Sequence, residues 1–140
     1  MSGTVRDRPD GPIEVFYDGS CPVCTTEMEA LARRDGGARL VLTDCSPAGF
    51  TADDPDAPTR AEMMHRIHAR DADGRWLRGV DVFVAAYDAA GFHRTARVLA
   101  TPRLRPLLDR LYGVIADHRR PLATLRLHRL LARVLQRPRR

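Results

Sequence analysis

The sequence predicts an α/β domain, and three observations carry that reading. A nearly continuous apolar run, Ile13 to Tyr17, is followed by a helical apolar repeat and then by a second short strand-like run. A turn signal, Asp71-Ala72-Asp73-Gly74, separates two further short segments, as in a hairpin. Apolar residues at helical spacing then fill most of the chain beyond Val80.

Taken in order, Ile13 to Tyr17 has the composition of a strand covered on both faces. Pro22 to Arg34 reads as a helix, with Cys24, Met28 and Leu31 at i, i+4 and i+7 and a stop at Gly36-Gly37. Arg39 to Thr43 is the next strand, and the resulting βαβ unit calls for parallel strands and a right-handed crossover. Pro47 to Pro58 reads as a loop too polar and too interrupted to pack. Thr59-Arg60-Ala61-Glu62 matches a capping box and starts a short helical turn. His65 to Arg70 and Arg75 to Arg78 form the hairpin, in which Trp76 is a core or covering residue. Val80, Phe83, Val84 and Tyr87 mark a helix that ends by Gly91. A longer amphipathic helix carries Leu104, Leu107, Leu108, Leu111, Tyr112 and Ile115, and starts at Pro102 or Pro106. There is no internal repeat. These elements divide the chain into a disordered segment over 1–12, a domain over 13–120 and a basic amphipathic helix or tail over 121–140.

At 140 residues the chain is long enough for one hydrophobic core without covalent staples. No apolar run approaches the roughly 20 residues of a membrane span. The segment before Pro12 carries Arg6, Asp7, Arg8 and Asp10 in place of the apolar stretch of a secretory signal, so a cytoplasmic location is expected. The net charge of +5 is unevenly placed: residues 1–117 hold 15 Arg and all 18 acids, a net −3, whereas 118–140 hold 8 Arg and no acid. All 23 basic residues are Arg, with no Lys or Asn in the chain, a bias that reads as genomic composition more readily than as phosphate recognition. In the tail, Leu127, Leu130, Leu131, Val134 and Leu135 alternate with Arg126, Arg129, Arg133 and Arg137. Such a helix either packs on its own domain or docks on an acidic surface or protein partner; no aromatic interleaving or motif marks nucleic acid.

The chemistry is concentrated in Asp18-Gly19-Ser20-Cys21-Pro22-Val23-Cys24, at a strand-to-helix junction. Two Cys three apart in a first helical turn hold their Cα atoms within the roughly 4.4–6.8 Å that a disulfide accepts. The unpaired N–H groups and positive dipole of the helix start favour thiolate at Cys21, expected to be the more exposed sulfur and the nucleophile, with Cys24 resolving. Pro22 suits the first helical position. Asp18 is a candidate proton carrier between the thiols, though Asp-Gly after a strand is also an ordinary turn. Glu27 reads as a solvated helix residue and Cys45 as a small buried hydrophobe. The competing reading of the Cys pair is a zinc or iron–sulfur half-site, with His65 and His68 as further ligands. On a strand, however, residues three apart face opposite ways.

The order β, α, β, hairpin, α is that of the thioredoxin fold, and Cys-Pro-Val-Cys resembles the motif of glutaredoxins. The string Phe16 to Cys24 is closer still to the DCC family of thiol-disulfide oxidoreductases, with further matches at Met64-His65, Asp73-Gly74-Arg75, Arg78-Gly79 and Leu104-Arg105-Pro106-Leu107 with Tyr112 and Ala116. The resemblance implies a thioredoxin-like fold with additional C-terminal helices and a catalytic set of Cys21, Cys24 and Asp18. It further implies no cofactor or metal, a disulfide-containing protein or small-thiol substrate, and a thiol reductant. A thioredoxin-like site normally also has a cis-proline before its third strand, where backbone is exposed for the substrate. Here Ala61 to His65 contains no Pro, so docking by that backbone pairing is not expected.

Overall fold

A computed structural model describes residues 11–124 together with Arg133. The disorder expected at the N-terminus therefore falls almost wholly outside the described residues. So do the leucine positions of the expected tail helix. The described chain runs β1 (Ile13–Tyr17), α1 (Pro22–Asp35), β2 (Leu40–Asp44), α2 (Arg60–His65), β3 (His68–Arg70), β4 (Trp76–Arg78), α3 (Val80–Ala89), α4 (His93–Leu99) and α5 (Arg105–Thr124). The sheet order is β2-β1-β3-β4. β1 pairs in parallel with β2, from Ile13 opposite Leu40 to Tyr17 opposite Asp44, and antiparallel with β3, where Val15 faces Ala69. A parallel pair joined to an antiparallel pair, with helices added after it, is the thioredoxin-like arrangement the sequence predicts.

The two-sided apolar character of β1 follows from its alternation. Ile13 and Val15 are buried under α1 and α3 with Met28, Leu31, Val82 and Ala86. Phe16 points to the other face, into a second cluster with Cys45 and Met63. Its cover is built by Trp76, 5.1 Å away between ring centroids, and by Phe50 at 6.1 Å in an edge-on contact. Burying one such side chain stabilises the fold by roughly 1.5–3 kcal/mol. The loop over 47–58 is thus not the unpacked segment its composition suggests. Phe50, Ala52 and Ala57 lie against this second cluster, and the Asp54 carboxylate accepts hydrogen bonds from Trp76 Nε1 (3.0 Å) and Arg70. A scarcity of apolar residues hid the loop's role because one aromatic and two alanines suffice to lid Phe16.

Capping chemistry fixes the smaller elements. Thr59 and Glu62 form the reciprocal capping box of α2. The hairpin is held by Asp71, whose carboxylate accepts the amides of Asp73 and Arg75, with Gly74 at φ 80°. Its first strand is shorter than expected: His65 ends α2, and β3 begins only at His68. The short helix α4 has no clear signal in the sequence. Its seven residues bury Ala96 against Val80 and Val84.

α5 is anchored by Tyr112. Its ring packs edge-on against Phe83 at 5.5 Å, and its hydroxyl accepts the Ile67 amide at 2.9 Å. The ring lies so close to Gly79 (φ 61°) that a Cβ there would meet it at 3.3 Å. The ion pairs Arg66–Asp117 (2.9 Å) and Arg105–Asp81 (2.8 Å) flank the anchor. The helix also crosses Pro121 to reach Thr124, past the boundary expected after Arg120.

Tyr112→Phe keeps the ring contact but leaves the Ile67 amide without its acceptor. The expected loss is about 1–2 kcal/mol in denaturant-induced unfolding, as for a half-buried donor deprived of its partner. An unchanged midpoint would show that the hydroxyl does not hold α5.

Candidate active site

The site begins where β1 stops. Cys21 N–H bonds back to the Asp18 carbonyl at 3.0 Å, closing a turn, and Asp18 Oδ1 accepts the Ser20 amide at 3.0 Å and the Ser20 hydroxyl. Asp18 is thereby the turn-forming residue that its Asp-Gly context suggests. At 2 % exposure it is also buried and lies in the wall of the cleft described below. The turn is tied to the neighbouring strand as well. Asp44 Oδ1 accepts the amides of Gly19 (2.9 Å) and Ser46 (2.8 Å). Burial works upward on the Asp44 pKa, but the bonds from Ser46 and Gly19 outweigh it and hold the group below the usual carboxylate range. A Cβ on residue 19 would fall 2.3 Å from this carboxylate, so a larger residue would displace it and break both bonds.

Cys21 is the N-cap of α1, in an extended conformation (φ −95°, ψ 114°), and its carbonyl accepts the first helical bond from Thr25. Pro22 follows at the first helical position, as the sequence predicts. Cys24 lies one turn in. Both cysteines are reduced, with no disulfide between them. Their exposure reverses the expected order: Cys21 is only 2 % exposed, whereas Cys24 is half-buried and forms part of the cleft wall. The cause is the Asp18–Cys21 turn, which folds the N-cap residue inward and leaves the first-turn face of α1 toward the opening.

That opening is a cleft of about 360 Å³ between α1, α3, α4 and α5. Its walls are mostly apolar, including Met28, Phe83, Leu99, Leu108 and Leu111, and its polar residues include Asp18, Cys24 and Glu27. Glu27 is a residue that sequence reading misplaced. It is half-buried in this wall, with its Oε1 accepting the Tyr87 hydroxyl at 3.0 Å. Burial raises its pKa against the opposing hydrogen bond, and Tyr87 is raised in turn by burial and by Glu27. The available signal was its spacing, three residues beyond Cys24 and so on the same helical face.

The remaining candidates separate cleanly. Cys45 is fully buried, with its Sγ 3.1 Å from the Tyr17 carbonyl, and burial together with Asp18 pushes its pKa to about 11. It is buried, as expected of a small hydrophobe. His65 is exposed at the end of α2, while His68 is buried with Nδ1 2.8 Å from the Arg66 carbonyl. The two imidazoles do not converge with the Cys pair. Among the described residues no group of three or more His, Cys, Asp or Glu could hold a metal ion.

A dithiol at the first turn of the helix that follows β1, on this sheet topology, defines a thioredoxin-like thiol protein. More specifically, the chain belongs to the DCC1-like thiol-disulfide oxidoreductase family, which matches residues 15–125. It is also similar to an uncharacterized chloroplastic protein of Arabidopsis thaliana, At5g50100, with 28% identity over 108 residues, covering 76% of this chain and 50% of that protein. The chain therefore spans about half the length of that relative. No solved structure matches it. No helix among the described residues is long and apolar enough to cross a membrane.

Two outcomes are expected from this geometry. Iodoacetamide should modify Cys24 of the folded, reduced protein first, Cys21 at least about tenfold more slowly, and Cys45 only on unfolding, as read by timed peptide mapping. Equal rates at Cys21 and Cys24 would contradict the exposures. The second concerns pH. Because the folded-state pKa of Glu27 is raised above its ordinary value of 4.5, the native state binds the proton more tightly than the unfolded chain. The stability of the wild type relative to Glu27→Gln should therefore be greatest below pH 4.5 and decline as pH rises through the folded-state pKa. Parallel unfolding curves from pH 4 to 8 test the sign.

Proposed function

We propose that this protein is a thiol-disulfide oxidoreductase in which Cys21 and Cys24 exchange with a substrate disulfide and Asp18 carries protons between them. The observation that supports this best is the reduced Cys pair at the start of α1, with Cys24 in the wall of a cleft. The N-terminus of a helix stabilises a thiolate in its first turn through unpaired N–H groups and the dipole.

In this reading the first attack is made by Cys24, the more exposed of the two. Its thiolate attacks one sulfur of the substrate, the substrate S–S bond breaks, and one substrate thiolate leaves and takes up a proton. A mixed disulfide now joins Cys24 to the remaining half. Cys21 loses its proton, attacks the Cys24 sulfur, and the second substrate thiol departs as the Cys21–Cys24 disulfide closes. Two electrons pass from the dithiol to the substrate, and an external thiol reductant restores the pair. The order is the reverse of that suggested by sequence alone, for the reason that Cys21 is covered. Asp18, buried beside this turn, accepts the proton released when Cys21 ionises and returns it to the leaving thiol. A thiol pool such as that of the cytoplasm would serve as the reductant.

The reading is tested by trapping. With an activated disulfide substrate, Cys21→Ser should accumulate a stable mixed disulfide on Cys24, whereas Cys24→Ser should react about tenfold or more slowly. Asp18→Asn keeps the acceptor for Ser20 while removing the charge, and should slow closure of the internal disulfide by roughly 10²-fold more than the first attack. Accumulation in Cys24→Ser alone would return the entering role to Cys21. No exchange by any form, together with stoichiometric zinc or iron in protein purified anaerobically, would replace the reading by a metal-binding one.

A further inference from the structure

A protein that exchanges disulfides must also hold its substrate, and the backbone before β3 offers little to hold it with. Arg66 N–H bonds to Glu62 O at 2.9 Å, and the Arg66 carbonyl faces His68 Nδ1 at 2.8 Å. Ile67 N–H bonds to the Tyr112 hydroxyl at 2.9 Å, and the Ile67 carbonyl accepts Gly79 N–H at 3.0 Å. All four main-chain groups of this segment are engaged within the molecule. An incoming extended chain could accept a bond from these two amides only by displacing the bonds that cap α2 and anchor α5.

The cleft offers a different kind of recognition. It lies at the lower end of the roughly 300–1,000 Å³ typical of small-ligand pockets, and Ile67 itself forms part of its wall. Among the described residues its lining contains no Arg, Lys or His, while two carboxyl residues, Asp18 and Glu27, stand near the Cys24 end. A carboxylate brought into this space would lose water and, among the described residues, find no cation in the lining, so desolvation opposes it. An uncharged apolar group meets only favourable contacts. Leu111 and Ile115 line the cleft yet are 53% and 40% exposed, which makes them its rim.

We infer that this cleft is the substrate-recognition pocket, and that it takes an uncharged aliphatic or aromatic group lying next to the substrate's disulfide while rejecting disulfides flanked by carboxylates. The inference rests on the proposed exchange at Cys24, because the apolar group seats where that sulfur opens. The same chemistry is offered by a residue flanking a cysteine in a peptide and by a small aryl disulfide. The pocket discriminates through the group's polarity and size.

The test compares disulfides in two pairs, each rate divided by the rate of dithiothreitol on the same compound to remove intrinsic reactivity. One pair is the disulfide dimers of the capped dipeptides Phe-Cys and Asp-Cys; the other is 2,2′-dithiodipyridine and glutathione disulfide. The apolar member should be favoured by at least about tenfold in kcat/KM, the scale on which hydrophobic pockets discriminate. A preference confined to the peptides identifies a polypeptide source. One confined to the second pair identifies a small molecule. Equal normalised rates in both pairs, or a preference for the charged members, overturn the proposal.

A second measurement needs no redox chemistry. The double variant Cys21→Ser/Cys24→Ser should bind the uncharged fluorophore N-phenyl-1-naphthylamine saturably, and Ile115→Trp, which fills the rim at a partly exposed position, should weaken that binding at least about fivefold while the melt shows a folded protein. Binding without exchange in the wild type would sink the functional reading and leave the pocket standing. Exchange without selectivity, with no saturable probe binding, would sink the pocket and leave the function.

Discussion

Tyr112 holds the molecule's working geometry in place. It is the α5 side chain that combines a hydrogen bond, an aromatic contact and core packing; Leu108 packs beside it against Val80, Val84 and Ala96, and the ion pairs near the surface contribute little each. Its hydroxyl reaches the strand-side backbone at Ile67, its ring reaches Phe83 on α3, and Gly79 leaves room for both. One side chain thus joins three elements separated by up to 45 positions in sequence. The cleft beside Cys24 is a consequence: α1 and α3 supply its floor, and α5 turns that floor into a pocket. Tyr112 also occupies the backbone amide before β3, so the contact that builds the pocket removes a site for main-chain pairing.

The chemistry inherits this division of labour. The helix start supplies an environment that favours thiolate in the first turn, and beside the turn closed by Asp18 it is Cys24 that is the more exposed of the two. Ionisation and access are separate requirements, and the fold does not place them equally on the two cysteines. Cys45 meets neither. It is buried with Phe16 and Met63, and burial together with Asp18 pushes its pKa up to about 11.

Much of this was legible in the sequence because it depends on local pattern. The strand Ile13–Tyr17, the helix after Pro22, the capping box at Thr59 and the hairpin turn around Asp71 are each specified by residues within a few positions of one another, and each forms where expected, although the first hairpin strand begins only at His68. What was not legible depends on contacts between distant segments. Phe50 gives no sign of packing until Phe16 is known to face it. Glu27 looks like any exposed helix carboxyl until Tyr87, 60 residues away, is placed over it. The same holds for Cys21, whose burial comes from how the preceding turn folds and not from its own helical position. α4 was missed because seven residues with a single buried alanine carry no periodic signal.

The bond from Gly19 to Asp44 has a consequence for assembly of the sheet. Tyr17 and Asp44 are the last matched pair of β1 and β2, so the carboxylate that holds the sulfur-bearing turn belongs to the edge strand and sits at the end of the register. Sliding β2 by one residue would move that carboxylate about 3.3 Å along the strand and turn it to the opposite face. The turn would then lose its tether and the cysteines their fixed position. The placement of the dithiol is therefore coupled to strand pairing: only a chain whose first two strands meet in this register ties the sulfur-bearing turn to the sheet through this bond.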